Sequence, residues 1–176
     1  MVTHIILAPH PDDEVIGCFS ILRQPSGRIL VVYSGRFDKA REQEIMRLSV
    51  EFPLTMNWLD CGSTVLFLDH LRLKGDKIWV YAPDPHWEHH PDHKSISSQV
   101  WPYCQAHNVP FCTYSTDMNV PYLRELSGTM QEQKRVMLEK CFPSQKSLWE
   151  YDHKYFLFEG ISLWNPAALS LSPNSP

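Results

Sequence analysis

Apolar, β-branched runs alternate with amphipathic helical stretches along this chain, and the alternation predicts an α/β fold, an open and mostly parallel sheet with helices on both faces. Two further observations agree. The first 35 residues read strand, helix, strand, a βαβ unit whose crossover is right-handed and whose strands are parallel. The chain has 176 residues and 43% apolar content, the size of one domain that builds its core without disulfides or a structural metal.

Taken in order, Thr3 to Ala8 (THIILA) is a buried strand that stops at a Pro-His-Pro-Asp-Asp cluster. In EVIGCFSILRQ, Val15, Ile16, Phe19 and Leu22 recur at helical spacing behind Asp12 or Asp13 as cap, and Pro25-Ser26-Gly27 ends this short helix. Arg28 to Gly35 is a second buried strand. An amphipathic helix follows over Lys39 to Glu51, with Ile45, Met46, Leu48 and then Phe52 on a charged background. Thr55 to Gly62 is a third strand ending at Asp60, Val65 to Leu73 a short helix, and Asp76 to Asp84 a fourth strand. A helix is expected in SISSQVWPYCQAHN, kinked or ended by Pro102. Then come a strand in FCTYSTD, a charged helix in LSGTMQEQKRVMLEKC and a last apolar segment in YFLFEGISL. One domain is expected over residues 1–164, with a flexible Pro- and Ser-rich tail over 165–176.

Composition removes several function classes. Sixteen basic against twenty acidic residues give a net charge of −4, which argues against the cationic surface that direct nucleic-acid binding needs. Five cysteines without a CxxC pair indicate neither a disulfide framework nor a thiolate zinc site, and point to a reducing cytoplasm. The start, MVTHIILAPHPDDE, lacks the basic and apolar regions of a secretory signal, and no apolar run is long enough to span a membrane. A cytoplasmic location is expected. With only seven glycines, a glycine-loop nucleotide cradle is disfavoured.

Two clusters combine imidazole and carboxylate: His10-Pro11-Asp12-Asp13-Glu14, and His86-Trp87-Glu88-His89-His90-Pro91-Asp92-His93. Each follows a strand, and in open α/β sheets the carboxyl ends of the strands meet at a ligand crevice. Imidazole with one carboxylate is a common ligand set for catalytic zinc, three protein donors leaving a position open for water. The same residues also fit a bland reading, a turn, an acidic helix start and surface histidines.

APHPDDEVIGC and HHPDHK resemble the two signature motifs of the PIG-L / LmbE-like zinc N-deacetylases, the GlcNAc-type deacetylases. Arg41-x-x-Glu44, Asp60 before Cys61-Gly62, and Pro143-Ser144-Gln145 behind a helix containing Lys134 resemble looser family positions in the same order, so the resemblance spans about residues 4–160. It implies a Rossmann-like (LmbE-like) α/β domain without nucleotide binding. It further implies one zinc ion and removal of the acetyl group from an N-acetylglucosamine-type amino sugar by metal-activated water. Position by position, the resemblance makes His10, Asp13 and His93 the zinc ligands, Asp12 the general base and His90 the electrostatic or acid partner. Asp92 is then the carboxylate that orients His90. Arg41 and Asp60 become candidates for holding the hydroxyls of a substrate sugar, although Arg41 also fits a helix-surface residue paired with Glu44.

Two departures bear on substrate rather than on reaction. Glu88 stands near where several members place a tyrosine that polarises the substrate carbonyl. A carboxylate there repels an oxyanion, so either Tyr81 or another donor takes over, or Glu88 points away. The chain is also shorter than most members, which implies an open cleft for a large acceptor, such as a glycoconjugate or an amino sugar on a modified nucleobase. Two other classes remain: a metal-dependent phosphoesterase, which wants a two-metal carboxylate site, and a non-catalytic zinc- or sugar-binding module of the same fold, which needs neither Asp12 nor His90. The oligomeric state is not legible in the sequence.

Overall fold

A computed structural model of the chain describes residues 2–34, 39–51, 55–58 and 61–163. Among these residues lie seven strands: β1 (Val2–Ala8), β2 (Arg28–Tyr33), β3 (Thr55–Trp58), β4 (Lys77–Pro83), β5 (Phe111–Ser115), β6 (Leu123–Glu125) and β7 (Phe158–Leu163). They form one sheet in the order β3-β2-β1-β4-β5-β7-β6. The first five pair in parallel, and β7 and β6 add an antiparallel edge. The helices are α1 (Asp13–Leu22), α2 (Lys39–Glu51), α3 (Cys61–Leu73), α4 (Pro91–Ala106), α5 (Gly128–Cys141), α6 (Lys146–Tyr151) and α7 (Lys154–Leu157), with a 3-10 turn at Pro143–Gln145. This is the expected single Rossmann-like α/β domain with a mostly parallel sheet flanked by helices.

Strand periodicity sends alternate side chains to opposite layers. Ile6, Ala8, Val31 and Tyr33 pack with residues of α1, α2, α5, α6 and α7. Ile5, Leu7, Leu30 and Val32 pack with residues of α3 and α4. Strands β1 and β2 are thus covered on both faces, which is why they read as continuous apolar runs rather than alternating ones.

Several boundaries differ from expectation. Residues 61 and 62, expected to finish the third strand, open α3. Asp60 and the tail over 165–176 lie outside the described residues. Helix α4 begins at Pro91, inside the second cluster, where a proline in the first turn lacks nothing because its N–H would go unused. Pro102 neither ends α4 nor stops its hydrogen-bonded register before Ala106. Ile96, Val100 and Cys104, spaced four apart, are fully buried against the sheet, and that burial outweighs the roughly 3 kcal/mol cost of an interior proline. The last apolar segment divides into α7 and β7, while the exposed β6, the 3-10 turn and α6 carry no pattern that announced them. No helix among the described residues is long and apolar enough to cross a membrane.

Helix α1 is broken at Cys18, whose φ of −129° is not helical. The break is satisfied from outside the helix. The Ile16 carbonyl accepts from Lys134 Nζ at 2.7 Å, and the Ser20 N–H donates to Glu159 at 2.9 Å. Lys134 also donates to the Phe158 carbonyl at 2.6 Å, and Glu159 is additionally paired with Arg124. Both Lys134 and Glu159 are completely buried. Lys134→Met is therefore expected to cost about 3 kcal/mol in urea unfolding, since it takes from the Ile16 and Phe158 carbonyls the ammonium that donates to both.

Strand β1 lies between β2 and β4, so the chain leaves its carboxyl end toward one side of the sheet and later returns on the other. Such a switch point opens a crevice at the carboxyl ends of the strands. Both histidine clusters fall there.

Candidate metal and catalytic site

The first cluster is built on a strained turn. Asp12 has φ of +103°, a conformation that costs a non-glycine residue on the order of 1–3 kcal/mol and is kept where the surroundings enforce it. Here the Asp12 carbonyl accepts from the N–H groups of Val15 and Ile16 at 2.9 and 2.8 Å, starting α1. Asp12 is the residue before the helix, yet its side chain makes no capping bond. The adjacent carboxylates consequently take different directions. Asp13 Oδ2 accepts the His10 N–H at 2.7 Å and lies 3.6 Å from His10 Nδ1 and 3.2 Å from His93 Nε2. Asp12 Oδ2 instead meets Arg41 Nη2 at 3.2 Å.

The second cluster is carried by the loop after β4 and the first turn of α4. His90 precedes the helix, and its Nδ1 accepts the Asp92 N–H at 3.2 Å. A neutral imidazole that accepts at Nδ1 carries its proton on Nε2, so that nitrogen is a donor. His93, one turn into the helix, is buried with Nε2 3.0 Å from His10 Nδ1.

Three atoms thus converge: His10 Nδ1, Asp13 Oδ2 and His93 Nε2, with separations of 3.0, 3.2 and 3.6 Å. Donors held at about 2.1 Å by a tetrahedral ion stand about 3.4 Å from one another. Each imidazole also has a carboxylate on its outward nitrogen. His93 Nδ1 lies 2.8 Å from Glu88, and His10 Nε2 lies 3.3 Å from Asp92. A carboxylate behind a histidine is the usual support of a metal-bound imidazole, so the residues present fit a zinc ion. A nitrogen of His90 also falls within 4.8 Å of nitrogens of His10 and His93, but its Nδ1 is committed to capping α4.

The electrostatics agree. Burial disfavours charge on Asp13, but the facing His93 and His10 rings hold its carboxyl well below the usual range. Burial likewise opposes charge on His93, yet Asp13 and Glu88 draw the ring up to about 10. Asp12 goes the other way. Burial and the neighbouring Asp13 charge push it up to about 7, with Arg41 opposing, near the value that serves a general base at neutral pH.

These groups share one open cleft of about 700 Å³, which Arg41, Thr116, Asp117, Gln145, Leu148 and Tyr155 also line. Arg41, read as a sugar-binding candidate or a partner of Glu44, does pair with Glu44 at 2.7 Å, but also bonds Asp12, the Pro11 carbonyl and Ser144. Asp92, expected to orient His90, lies 3.8 Å from His90 Nδ1 and closer to His10. Glu88 also lines the cleft, but its carboxylate is taken up by His93, Ser115 and Thr116. Tyr81 does not replace the family tyrosine, because it is buried with its hydroxyl 3.0 Å from His4 Nδ1. Two contributors were missed. Thr116 follows a strand that ends in this crevice, a signal the topology could have supplied, whereas nothing local to Tyr155 points to a cleft.

No family model and no curated protein sequence matches the chain. Solved structures do. A teicoplanin-pathway deacetylase triple mutant superposes with a TM-score of 0.64 at 15% identity, covering 93% of this chain and 99% of that one. A deacetylase complex from the biosynthesis pathway of teicoplanin gives 0.63 at 13%, covering 87% and 88%. The deacetylase of the A40926 pseudoaglycone gives 0.58 at 13%, covering 86% and 85%. The chain has the fold of these deacetylases, as the resemblance of its two motifs implies.

Proposed function

We propose that the protein is a zinc-dependent N-deacetylase that removes the acetyl group from an N-acetylglucosamine-type amino sugar carried on a larger glycoconjugate. The observation that carries this reading is the convergence of His10, Asp13 and His93 beside an Asp12 carboxylate that is directed instead to Arg41. Among the fold neighbours are deacetylases of the teicoplanin pathway and of the A40926 pseudoaglycone, one of them solved with teicoplanin and another in a zinc-inhibited form. Those facts favour deacetylation of a large acceptor by a protein that interacts with a metal.

Zinc held by His10, Asp13 and His93 would supply an activated water at neutral pH and positive charge for the acyl oxygen. Asp12 takes the proton of the attacking water, and Arg41 steers its carboxylate. The same proton then passes from Asp12 to the departing amine as the C–N bond breaks, leaving acetate and a free amino sugar. His90 Nε2–H donates to the acyl oxygen as charge develops on it. Tyr155 is a second donor: it lines the cleft, and its hydroxyl makes no hydrogen bond among the described residues. Burial and the charges of Asp117 and Asp152 raise its pKa, so it keeps the proton it must share. Tyr155→Phe is expected to lower kcat about 10- to 100-fold with little change in KM, as for loss of a transition-state donor.

Proton competition gives a pH test of the metal centre. In the metal-free cleft His93 keeps its second proton up to about 10, and zinc must displace it. Apparent zinc affinity should therefore fall as pH falls, by about tenfold per unit between about pH 8 and pH 6. Titrations in chelator-buffered zinc measure the slope.

Acetate release from a panel of N-acetylglucosaminides and their conjugates tests the activity. Release by the zinc-loaded protein supports the reading. Zinc retained without acetate from any substrate favours a binding module, and phosphate release from phosphate esters favours the phosphoesterase.

A further inference from the structure

Glu88 occupies the position that marked a departure from the family pattern, and its surroundings give it a task of its own. Its carboxylate is 3% exposed and surrounded by donors. Oε2 lies 2.8 Å from His93 Nδ1, and Oε1 accepts the Thr116 N–H at 2.5 Å and the Ser115 hydroxyl at 3.0 Å. The Thr116 hydroxyl reaches both oxygens, at 3.2 and 3.0 Å. A carboxylate offers about four lone-pair sites, and these four donors use them. Nothing is left over to meet a substrate.

We infer that Glu88 is a positioning residue, which holds the proton of His93 on Nδ1 and so turns the Nε2 lone pair toward His10 and Asp13. The inference rests on the reading that these residues hold a metal. The Thr116 N–H is what makes the arrangement directional. A backbone amide is only ever a donor, so the atom facing it must accept. Ser115 ends β5 and Thr116 follows it directly, two strands away from β1 in the sheet, and they therefore anchor Glu88 to the end of a strand rather than to the loop that carries it.

A glutamine at this position cannot satisfy both neighbours. With its oxygen toward Thr116, its NH2 group faces His93 Nδ1, which must then accept, moving the ring proton onto Nε2 and into the metal position. Flipped, its oxygen keeps His93 in place but its NH2 group confronts the Thr116 N–H. In the first arrangement the proton on Nε2 finds Asp13 Oδ2 at 3.2 Å, where zinc must displace it. That cost falls on metal binding.

The test compares zinc titrations against a competing chelator for the wild type, Glu88→Gln and Thr116→Val, with long-range 1H–15N spectra of the histidine rings. Glu88→Gln should bind zinc about 10- to 100-fold more weakly and, having lost the buried carboxylate beside His93, should also melt below the wild type in its metal-free form, whereas Thr116→Val, which keeps the N–H, should bind several-fold more weakly. In the zinc-loaded wild type, His93 should show a protonated Nδ1 and a metal-bound Nε2. Wild-type zinc affinity in Glu88→Gln, or metal on Nδ1 of His93, overturns the inference and leaves the metal reading standing. A wild type that holds no zinc overturns both.

Discussion

Replacing Asp12 with alanine should lower kcat by about 10²- to 10⁴-fold, the usual contribution of a positioned general base, while zinc content stays that of the wild type. The two halves of this expectation come from the turn at φ of +103°. It separates adjacent carboxylates, giving Asp13 to the imidazoles and Asp12 to Arg41 and the cleft. Loss of the Asp12 carboxylate leaves every donor of the metal centre in place. The backbone supplies an internal control. Asp12→Gly removes the same carboxylate and also relieves the strained φ, so it should be as inactive as Asp12→Ala but about 1 kcal/mol more stable. Equal stability of the two variants would show that the turn is not strained in solution.

His93→Ala should lose metal and turnover together. A four-ligand zinc site is worth about 10–16 kcal/mol, so removing one of three protein donors should weaken zinc on the order of 10²- to 10³-fold. The protein itself should also suffer. Asp13 and Glu88 are both buried and both face this ring, and removing the cation between two buried carboxylates costs about 3–5 kcal/mol. The melting temperature of the metal-free variant should thus fall below that of the chelated wild type, which separates this variant from Asp12→Ala in two independent readouts. Stoichiometric zinc on purified His93→Ala would remove His93 from the ligand set.

What the sequence could and could not disclose follows from the range of each interaction. β1 and β2 were legible because strands covered on both faces must be apolar throughout, and the two clusters because each sits within a few residues of a strand end. Their meeting followed from topology, since β1 and β4 are neighbours at the switch point. The partners behind the donors were not legible. Glu88 was read against the family tyrosine, as a carboxylate that either displaces the carbonyl donor or points away, and the sequence did not disclose its neighbours, the end of β5 and the ring of His93. Asp92 was assigned to His90, which its carboxylate reaches at 3.8 Å, and the sequence did not disclose its second and nearer partner, His10 at 3.3 Å. Pro102 read as a kink or end of the helix because local propensity opposes it there, and the helix runs on through it to Ala106 because the buried stripe through Ile96, Val100 and Cys104 overrode that propensity. Lys134 was noticed only through the resemblance, and its place under the break in α1 depends on a contact across the fold.

Acetate release measured as zinc is added back to the chelated protein tests the central claim most directly. Activity should rise in proportion to zinc, reach its maximum at one equivalent, and be absent from Asp12→Ala carrying the same zinc. Acetate release that persists in the chelated protein, or that Asp12→Ala retains at full rate, would contradict it.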